Sequence, residues 1–202
     1  MMTHAEQPLT IYGDSISGNC LKVKFVADLL GITYCWNETR VLAQETRTAE
    51  FLALNPAGQV PVVRLADGRI LSQSNAIMLY LADGTRLIPA DSFVRAQMYQ
   101  WLFWEQYSHE TAIAVLRFRI AYLKLSEDEI APSLRPRSIA ALDLMDSHLA
   151  QRRYFVDETL SLADIALLAY TRVAPEAGLI LPQKVAQWVR RIENDLQLDH
   201  LG

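Results

Sequence analysis

The first 84 residues alternate between short apolar runs and stretches in which apolar residues recur at helical spacing. The run LTIY predicts a strand over Leu9–Tyr12, and the spacing from Cys20 to Leu30 predicts a helix that ends before Gly31. The run ITYCW, at Ile32–Trp36, is rich in β-branched and aromatic residues and predicts a second strand. Strand, helix and strand with short connections indicate a right-handed βαβ unit.

The same region continues with a short helix, a hairpin and a further helix. A helix is predicted over Thr48–Asn55, where Pro56 and Gly58 follow. The segment Val60–Leu71 alternates around Asp67-Gly68, a strong hairpin signal, and Gln73–Asp83 has helical spacing. The predicted order is therefore β-α-β-α-β-β-α.

After residue 91 the strand signals disappear. Four helical segments are predicted there: Ser92–Lys124, Arg137–Gln151, Ser161–Val173 and Lys184–Leu196. The acidic run SEDE, which starts at Ser126, is suited to a helix N-terminus. The sequence thus predicts a small α/β domain over residues 1–84, a linker over 85–91 and an all-helical domain over 92–202.

Composition excludes several classes of protein. The 202 residues are 51% apolar, enough for a buried core, and the net charge of −4 with no long basic run disfavours nucleic acid as a partner. No apolar stretch approaches the roughly 20 residues of a membrane span, and the first ten residues lack the features of a secretory leader. Cys20 and Cys35 form neither a zinc motif nor a disulfide framework. A cytoplasmic protein is expected.

Small polar residues cluster where the first helix should begin, at Ser15, Ser17 and Asn19. The N-terminus of a helix offers unpaired N–H groups and partial positive charge, which together favour an anion. A hydroxyl there could donate to a thiolate, and a bond to a charged group contributes roughly 1.5–3 kcal/mol. It could therefore lower the pKa of a bound thiol by about one to two units. The alternative is that Ser17 only caps the helix.

Four stretches, taken together and in order, carry a family resemblance. They are SGNCLKV, EFLALNPAGQVPVV, LSQSNAIMLYLA and LSLADIALLAYTRV. With them the chain resembles the cytosolic glutathione transferase family, and the text around WLFWEQYSHE is most similar to bacterial members near the theta and beta classes. The resemblance implies a thioredoxin-like N-terminal domain followed by an all-helical C-terminal domain.

The resemblance implies that Ser17 is the catalytic serine, which holds the sulfur of glutathione as a thiolate. Some bacterial relatives use a polar residue two positions later, where this chain has Asn19, and Ser15 is a third candidate. Other classes use a tyrosine near the end of the first strand, but a core position is expected for Tyr12. Relatives with a cysteine at the helix mouth carry out disulfide chemistry, whereas Cys20 is expected to be buried and structural.

The resemblance also implies a set of glutathione-binding residues. Pro61 is expected to follow a cis peptide bond, which exposes the backbone of Val60 to the cysteinyl part of the ligand. Gln73 and Ser74 would bind the γ-glutamyl end, where most relatives have Glu in place of Gln73; capping by Ser74 is the alternative. Gln59 lies where the glycine end is usually bound.

Two further sets of residues are weaker candidates. Thr46 and Arg47 could reach the glycine carboxylate or could be a solvated surface pair. The candidates for the second-substrate pocket, expected between the two domains, share one long helix: Trp104, Tyr107, His109, Arg117 and Phe118. Tyr107 is the best single candidate, because an aromatic ring with a hydroxyl suits an apolar electrophile. His109-Glu110 is not a metal motif, because position 113 is Ile.

The motif LSLADI contains a capping box, formed by Ser161 and Asp164. We expect it to fix one helix of the second domain, so that replacing Asp164 costs about 1 kcal/mol or more. No catalytic role is expected for it.

The predicted function is that of a glutathione transferase. Glutathione would be the co-substrate, added to a small electrophile or used to reduce a peroxide, in a homodimer without metal, nucleic-acid or membrane partners. One alternative is a glutathione-dependent disulfide reductase, if Asn19 rather than Ser17 faces the sulfur. The other is a binding module of the same fold without catalysis.

Overall fold

The computed structural model describes residues 8–199, and the first ten residues examined for a leader lie mostly outside this range. The chain divides into two compact units, one that runs to Asp83 and one that starts at Gly84. None of the helices described over this range has the length and apolar content that a membrane crossing requires.

The N-terminal unit contains a four-stranded mixed sheet. Its elements are β1 (Leu9–Gly13), α1 (Gly18–Leu29), β2 (Tyr34–Glu38), α2 (Ala49–Leu54), β3 (Val62–Arg64), β4 (Ile70–Ser72) and α3 (Ser74–Leu81). The strand order is β2-β1-β3-β4, in which β1 is parallel to β2 and antiparallel to β3, and β3 is antiparallel to β4. The predicted element order and thioredoxin-like fold are confirmed.

The core of this unit is a cluster of fully buried apolar residues from β1, β3, α1 and α3. Its members are Ile11, Val23, Ala27, Val63 and Ile77. Successive side chains of a strand point to opposite faces of a sheet, so Ile11 enters this core while the next residue does not. The cluster thereby packs α1 and α3 against the face of the sheet that Ile11 and Val63 present.

The second strand begins two residues later than the spacing predicted. Gly31 has a φ of 65° and closes α1, and the Ile32 N–H still donates to Ala27 O at 2.9 Å. This is the hydrogen-bond pattern of a right-handed helix that ends at a residue in the left-handed conformation. In this pattern the N–H of the residue after the glycine bonds to a carbonyl of the last helical turn. Ile32 is therefore held by the helix end and cannot join the strand, which starts at Tyr34.

The C-terminal unit contains helices joined by loops, with no strand among its described residues. Its α-helices are α4 (Ser92–Trp104), α5 (Val115–Arg117), α6 (Leu134–Leu149), α7 (Leu162–Thr171) and α8 (Gln183–Asp195). The predicted long helix is one continuous helical segment, but it includes π-helical stretches over Glu105–Ala114 and Phe118–Tyr122. The SEDE run forms only a single 3-10 turn, Glu127–Glu129. The all-helical second domain is confirmed.

The predicted capping box of α7 is confirmed and is larger than the motif indicated. Asp164 Oδ2 accepts from the Ser161 N–H and hydroxyl, each at 3.0 Å. Its Oδ1 accepts from the Phe155 N–H at 2.9 Å and from the Trp188 indole at 3.0 Å. Burial raises the pKa of Asp164 to about 6, although these four bonds act in the opposite direction. One carboxylate therefore joins three segments of the core.

Candidate functional site

The N-terminus of α1 is not closed by its own serine. Ser17 occupies the N-cap position with a φ of −86° and a ψ of 119°, yet its side chain makes no capping hydrogen bond. No acidic residue lies in the first turn, and the Gly18 N–H has no acceptor within residues 8–199. The simple capping role considered for Ser17 is thus not observed. The positive end of this helix retains capacity for an anion.

Cys20 lies three residues after Ser17, in the first turn of α1. Burial raises the pKa of Cys20 to about 12, against the opposing effects of the Ser17 hydroxyl and of the Asp14 N–H, which donates to Sγ at 3.3 Å. Cys20 is therefore a neutral thiol at physiological pH and not a nucleophile. The expected structural role of this cysteine is confirmed.

Ser15 is already engaged by β2. Its N–H and its hydroxyl donate to Glu38 Oε1 at 2.9 and 3.0 Å. Desolvation acts to raise the pKa of Glu38, but hydrogen bonds, including both from Ser15, outweigh it and lower the pKa. Asp14 also holds the loop, because its carboxylate accepts from the N–H groups of Ile16 and Val41. Both donors of Ser15, its N–H and its hydroxyl, are thus already used by Glu38.

Asn19 connects α1 to the first residue of α3. Its Oδ1 accepts from Lys22 Nζ at 2.8 Å and from Ser74 Oγ at 3.0 Å. Because an ammonium group can only donate, Lys22 fixes the orientation of the Asn19 amide, with Nδ2 as its opposite, donating end. Lys22 is fully buried and is a part of the site that sequence reasoning missed. Its signal was its position three residues after Asn19, on the same helix face.

Gln73 and Ser74 form the start of α3. Gln73 is exposed and adopts a φ of 73° with a ψ of 112°, a conformation that costs a residue other than glycine about 1–3 kcal/mol. Ser74 is buried, and its hydroxyl donates to Asn19. The alternative that Ser74 only caps α3 is therefore not what the hydrogen bonds show. The strained backbone of Gln73 had no signal in the sequence.

The Val60–Pro61 peptide bond is cis, as predicted. Pro61 is buried and Val60 is half-buried, immediately before β3 begins at Val62. The backbone of Val60 makes no hydrogen bond within residues 8–199, whereas the neighbouring Gln59 carbonyl accepts from Asn55 Nδ2 at 2.8 Å. The N–H and carbonyl of Val60 are therefore available to an extended ligand backbone.

The Arg47 side chain lies over Gly58, the residue that directly precedes Gln59. Gly58 has a φ of 62°, and a Cβ placed there would overlap the Arg47 guanidinium and come within 3.2 Å of Thr46 O. Thr46 is buried, while Arg47 is exposed and has no ion-pair partner in the described part of the chain. Of this weaker pair, Arg47 is the residue positioned to bind an anion.

In the C-terminal unit, Trp104 and Tyr107 line one cavity of about 590 Å³. Ser108, Thr111 and Leu144 also contribute to its wall. Tyr107 is 84% exposed, and its neighbour Trp104 packs edge-on against Trp101 at 5.3 Å between ring centroids. These two sequence-predicted candidates are thus brought together.

The other candidates of the long helix do not line that cavity. Arg117 is buried, with Nε 2.7 Å from Glu176 and Nη2 2.6 Å from the Tyr122 hydroxyl. His109 is also buried, and its Nε2 lies 2.9 Å from Thr171 Oγ1. Phe118 stacks on Tyr122 at 6.1 Å. The contacts of these three residues are those of a packed helical core.

Tyr12 is half-buried rather than part of the core. It lines a separate cleft of about 500 Å³ that includes Phe51 and Leu54 of α2, and Arg64 lies 5.8 Å from its ring centroid. The prediction of a core aromatic was wrong, because β1 turns Ile11 into the core and therefore Tyr12 to the other face of the sheet.

No group of three or more His, Cys, Asp or Glu side chains positioned to hold a metal ion occurs in the described part of the chain. The groups brought together at the candidate site are helix ends, hydroxyls, amides, the Val60 backbone and the Arg47 guanidinium. Such a set of groups suits a small peptide-like anion.

Both units of the chain match domains of one known protein family. Residues 16–83 match the family described as glutathione S-transferase, N-terminal domain, and residues 107–195 match glutathione S-transferase, C-terminal domain. A crystal structure of glutathione S-transferase from Pseudomonas fluorescens Pf-5 is 43% identical, with a TM-score of 0.91 over 96% of this chain and 99% of that one.

Curated relatives include both enzymes and a protein of another name. Glutathione S-transferase F10 from Arabidopsis thaliana is 28% identical over 200 residues, which is 92% of each chain. Elongation factor 1-gamma from Artemia salina is 29% identical over 127 residues, which is 63% of this chain and 29% of that protein. With both domain models matched in order over most of its length, the chain belongs to the glutathione S-transferase family.

Proposed function

We propose that the protein is a glutathione transferase that activates the thiol of glutathione at the N-terminus of α1. The observation that carries the proposal is the open end of this helix, where Ser17 holds the N-cap position without capping. The half-exposed Ser17 hydroxyl, which hydrogen-bonds the Cys20 thiol in this structure, and the unbonded Gly18 N–H are both groups that can donate to a thiolate.

In the proposed reaction, the thiol of glutathione loses its proton to solvent and the resulting thiolate accepts from the Ser17 hydroxyl. The sulfur then attacks an electrophilic carbon, an S–C bond forms, and the leaving group departs with the electron pair of its broken bond. No separate general base is needed when the thiolate is already populated near neutral pH. Stabilising the anion and positioning it are the two contributions of this chain.

The rest of the tripeptide would be held by the groups around α1. The free N–H and carbonyl of Val60 would pair with the cysteinyl backbone, in the manner of an added strand. Gln73 and Ser74 would bind the γ-glutamyl end at the positive end of α3, and Gln59 and Arg47 the glycine carboxylate. Charge supports the last assignment, because the Arg47 guanidinium has no carboxylate partner within residues 8–199.

For the second substrate we propose the aromatic pair Trp104 and Tyr107, which lines a cavity in the C-terminal unit. An exposed phenol beside an indole suits an apolar, aromatic electrophile. Tyr107→Ala should then raise KM for the electrophile and leave KM for glutathione unchanged. We also propose a cytoplasmic homodimer, for which sedimentation of the purified protein is the direct test.

A disulfide reductase is the second candidate, and the place of Asn19 supports it. Asn19 lies in the first turn of α1, two residues after Ser17, and its Oδ1 accepts from Lys22 and from Ser74 at the start of α3. A non-catalytic binding module is the third, and the similarity to an elongation factor subunit is its support.

Three assays separate these functions. Retention on immobilised glutathione tests binding, conjugation of a chlorodinitrobenzene tests the transferase, and glutathione-dependent reduction of bis(hydroxyethyl) disulfide tests the reductase. Retention with conjugation supports the proposal, and retention with only disulfide reduction supports the second candidate. Retention without either activity supports the binding module, and a lack of retention overturns all three.

A further inference from the structure

A small cavity of about 170 Å³ lies at the C-terminal end of α6, in a part of the chain that the proposed function does not use. Its polar wall consists of Gln151, Arg152, Arg153, Lys184, Gln187 and Arg191. Four of these six side chains are cations, and within residues 8–199 no carboxylate lines the cavity. The chain as a whole has a net charge of −4, so this local cluster of positive charges is opposite in sign to the overall charge.

The fold brings the four cations together from two directions. Lys184, Gln187 and Arg191 are three and four residues apart, so they share one face of α8. Arg152 and Arg153 follow directly on the end of α6 at Leu149. The cavity is thus formed by a helix face and the segment that leaves the neighbouring helix.

Two carboxylates of this unit, Asp146 and Asp195, accept hydrogen bonds from groups other than the four cationic side chains. Asp146 Oδ1 accepts from the N–H groups of Lys184 and Val185, at 2.8 and 3.2 Å, and so caps α8. Asp195 accepts from the Tyr154 hydroxyl at 3.0 Å. Neither lines the cavity, and neither forms an ion pair with one of its four cations in the described part of the chain.

The two best-fixed guanidinium groups are held by neutral acceptors. Arg191 Nη1 donates to Arg153 O at 2.8 Å, and Arg152 Nη1 donates to His148 O at 3.3 Å. A carbonyl orients a guanidinium without neutralising it, so the positive charge of the wall is retained. Elsewhere in the same unit arginines are paired with acids, as Arg172 is with Glu193 at 2.9 Å.

The dipole of α6 accounts for only part of the cluster. A cation near the C-terminus of a helix is favourable, and Arg152 fulfils that role at the His148 carbonyl. Arg153 and Lys184 donate from their side chains to no acceptor in the described residues. Four like charges that line one cavity repel one another, and an anion bound among them would remove that repulsion.

We propose that this cavity binds a phosphate-bearing small molecule. The planar fork of arginine matches the oxygens of a phosphate group, and the amides of Gln151 and Gln187 can donate to further oxygens. At about 30 Å³ per water, the volume equals that of roughly five to six waters, enough for one five-atom phosphate group. Four cations exceed the charge of one phosphate, and the exposed side chains of Arg152 and Arg153 can contact a second phosphate outside the enclosed volume, so a diphosphate ligand matches the charge best.

The test is calorimetric titration of the full chain with inorganic pyrophosphate at constant ionic strength. We expect saturable binding of about one pyrophosphate per chain, weakened about tenfold or more by Arg191→Gln and by Lys184→Gln. Arg190→Gln is the matched control, because Arg190 is exposed on the same helix but does not line the cavity. Circular dichroism and glutathione binding of each variant establish that the fold is retained.

Two results would overturn the proposal. One is the absence of saturable pyrophosphate binding, and the other is equal weakening by Arg190→Gln and Arg191→Gln, which would indicate diffuse surface charge. Co-sedimentation with phosphatidylcholine vesicles that contain phosphatidic acid distinguishes the source of the phosphate. Retention that pyrophosphate displaces identifies a lipid headgroup, whereas pyrophosphate binding without retention identifies a soluble phosphate compound.

Discussion

The α-helices α1 and α7 both have serine at the N-cap, but the two helix ends differ in how their donors are satisfied. At α7, Ser161 is buried, and its N–H and hydroxyl both donate to Asp164 in a complete capping box. At α1, Ser17 is half-exposed, its side chain makes no capping bond, and the first turn carries no acid. The first end is satisfied from within the fold, while the second leaves donors for something else.

The difference shows how one residue type at one position can serve stability or binding. An N-cap bond contributes typically about 1 kcal/mol, and α1 forgoes it. What α1 keeps is a hydroxyl and a positive helix end that an anion can use. The predictions below test this contrast, from the largest expected effect to the smallest.

The N-terminus of α7, whose donors are satisfied by Asp164, is called the closed end here, and that of α1 the open end. The largest effect should come from removing Asp164. Asp164→Ala leaves four buried donors without an acceptor, so we expect the free energy of unfolding to fall by about 3–5 kcal/mol. Urea denaturation measures the change. Asp143→Ala is the control, because Asp143 is exposed on α6 and its loss should change the stability by less than about 0.5 kcal/mol.

The closed end should also give stability a defined pH dependence. The folded pKa of Asp164, about 6, lies above its ordinary value of 3.8, so its protonated form is favoured by folding. The stability contribution of this titration is therefore complete below about pH 4 and is lost as pH rises through 6. Relative to Asp164→Asn, the wild-type free energy of unfolding should fall by about 3 kcal/mol over that window. A difference that grows with pH would mean that the four donors, not burial, dominate.

At the open end, Ser17→Ala should affect catalysis and not stability. Loss of a hydrogen bond to the thiolate should lower kcat/KM for conjugation by about ten- to hundredfold. Because the side chain caps nothing, the free energy of unfolding should change by less than about 0.5 kcal/mol. Ser15→Ala is the control, since that hydroxyl already donates to Glu38. Equal activity of the two variants would assign the thiolate to another group, with Asn19 as the first candidate.

The smallest effect is expected for Ser161→Ala at α7, which should lower stability and leave catalysis unchanged. Ser161→Ala removes one of the four donors to Asp164 and the side-chain half of the cap, which should lower the free energy of unfolding by about 1 kcal/mol. Conjugation activity at a temperature well below unfolding should be unchanged. A loss of activity without a loss of stability would contradict the division of roles between the two helix ends.

Only part of the contrast between these two helix ends could be predicted from the sequence. The Ser-x-x-Asp spacing predicted the cap of α7, because its partners lie three residues apart and local spacing determines them. Its extension to Trp188 and Phe155 depends on tertiary packing, which a local motif cannot encode. The order of strands and helices was predictable for the same local reason, whereas strand β2 was shifted by the hydrogen bonds that close α1.

At the open end, the sequence indicated which residues matter but not how they are connected. The helix mouth and the cis Val60–Pro61 bond were anticipated, the latter from the family resemblance. The bond from Ser74 to Asn19 joins residues 55 positions apart, and Lys22 looks like an ordinary polar position until burial is known. Arg117 was a candidate by its place on the long helix, and its ion pair with Glu176 is evident only in the folded chain.

The most direct test of the account is the pKa of the glutathione thiol when it is bound to this protein. Thiolate absorbance of the complex, titrated against pH, gives that value for the wild type and for Ser17→Ala. The account predicts that the pKa of the bound thiol lies about one to two units below that of free glutathione. In Ser17→Ala most of this lowering should be lost, so that the pKa rises towards the value of free glutathione. A bound thiol that titrates like free glutathione in both proteins would contradict the claim that the open end of α1 stabilises a thiolate.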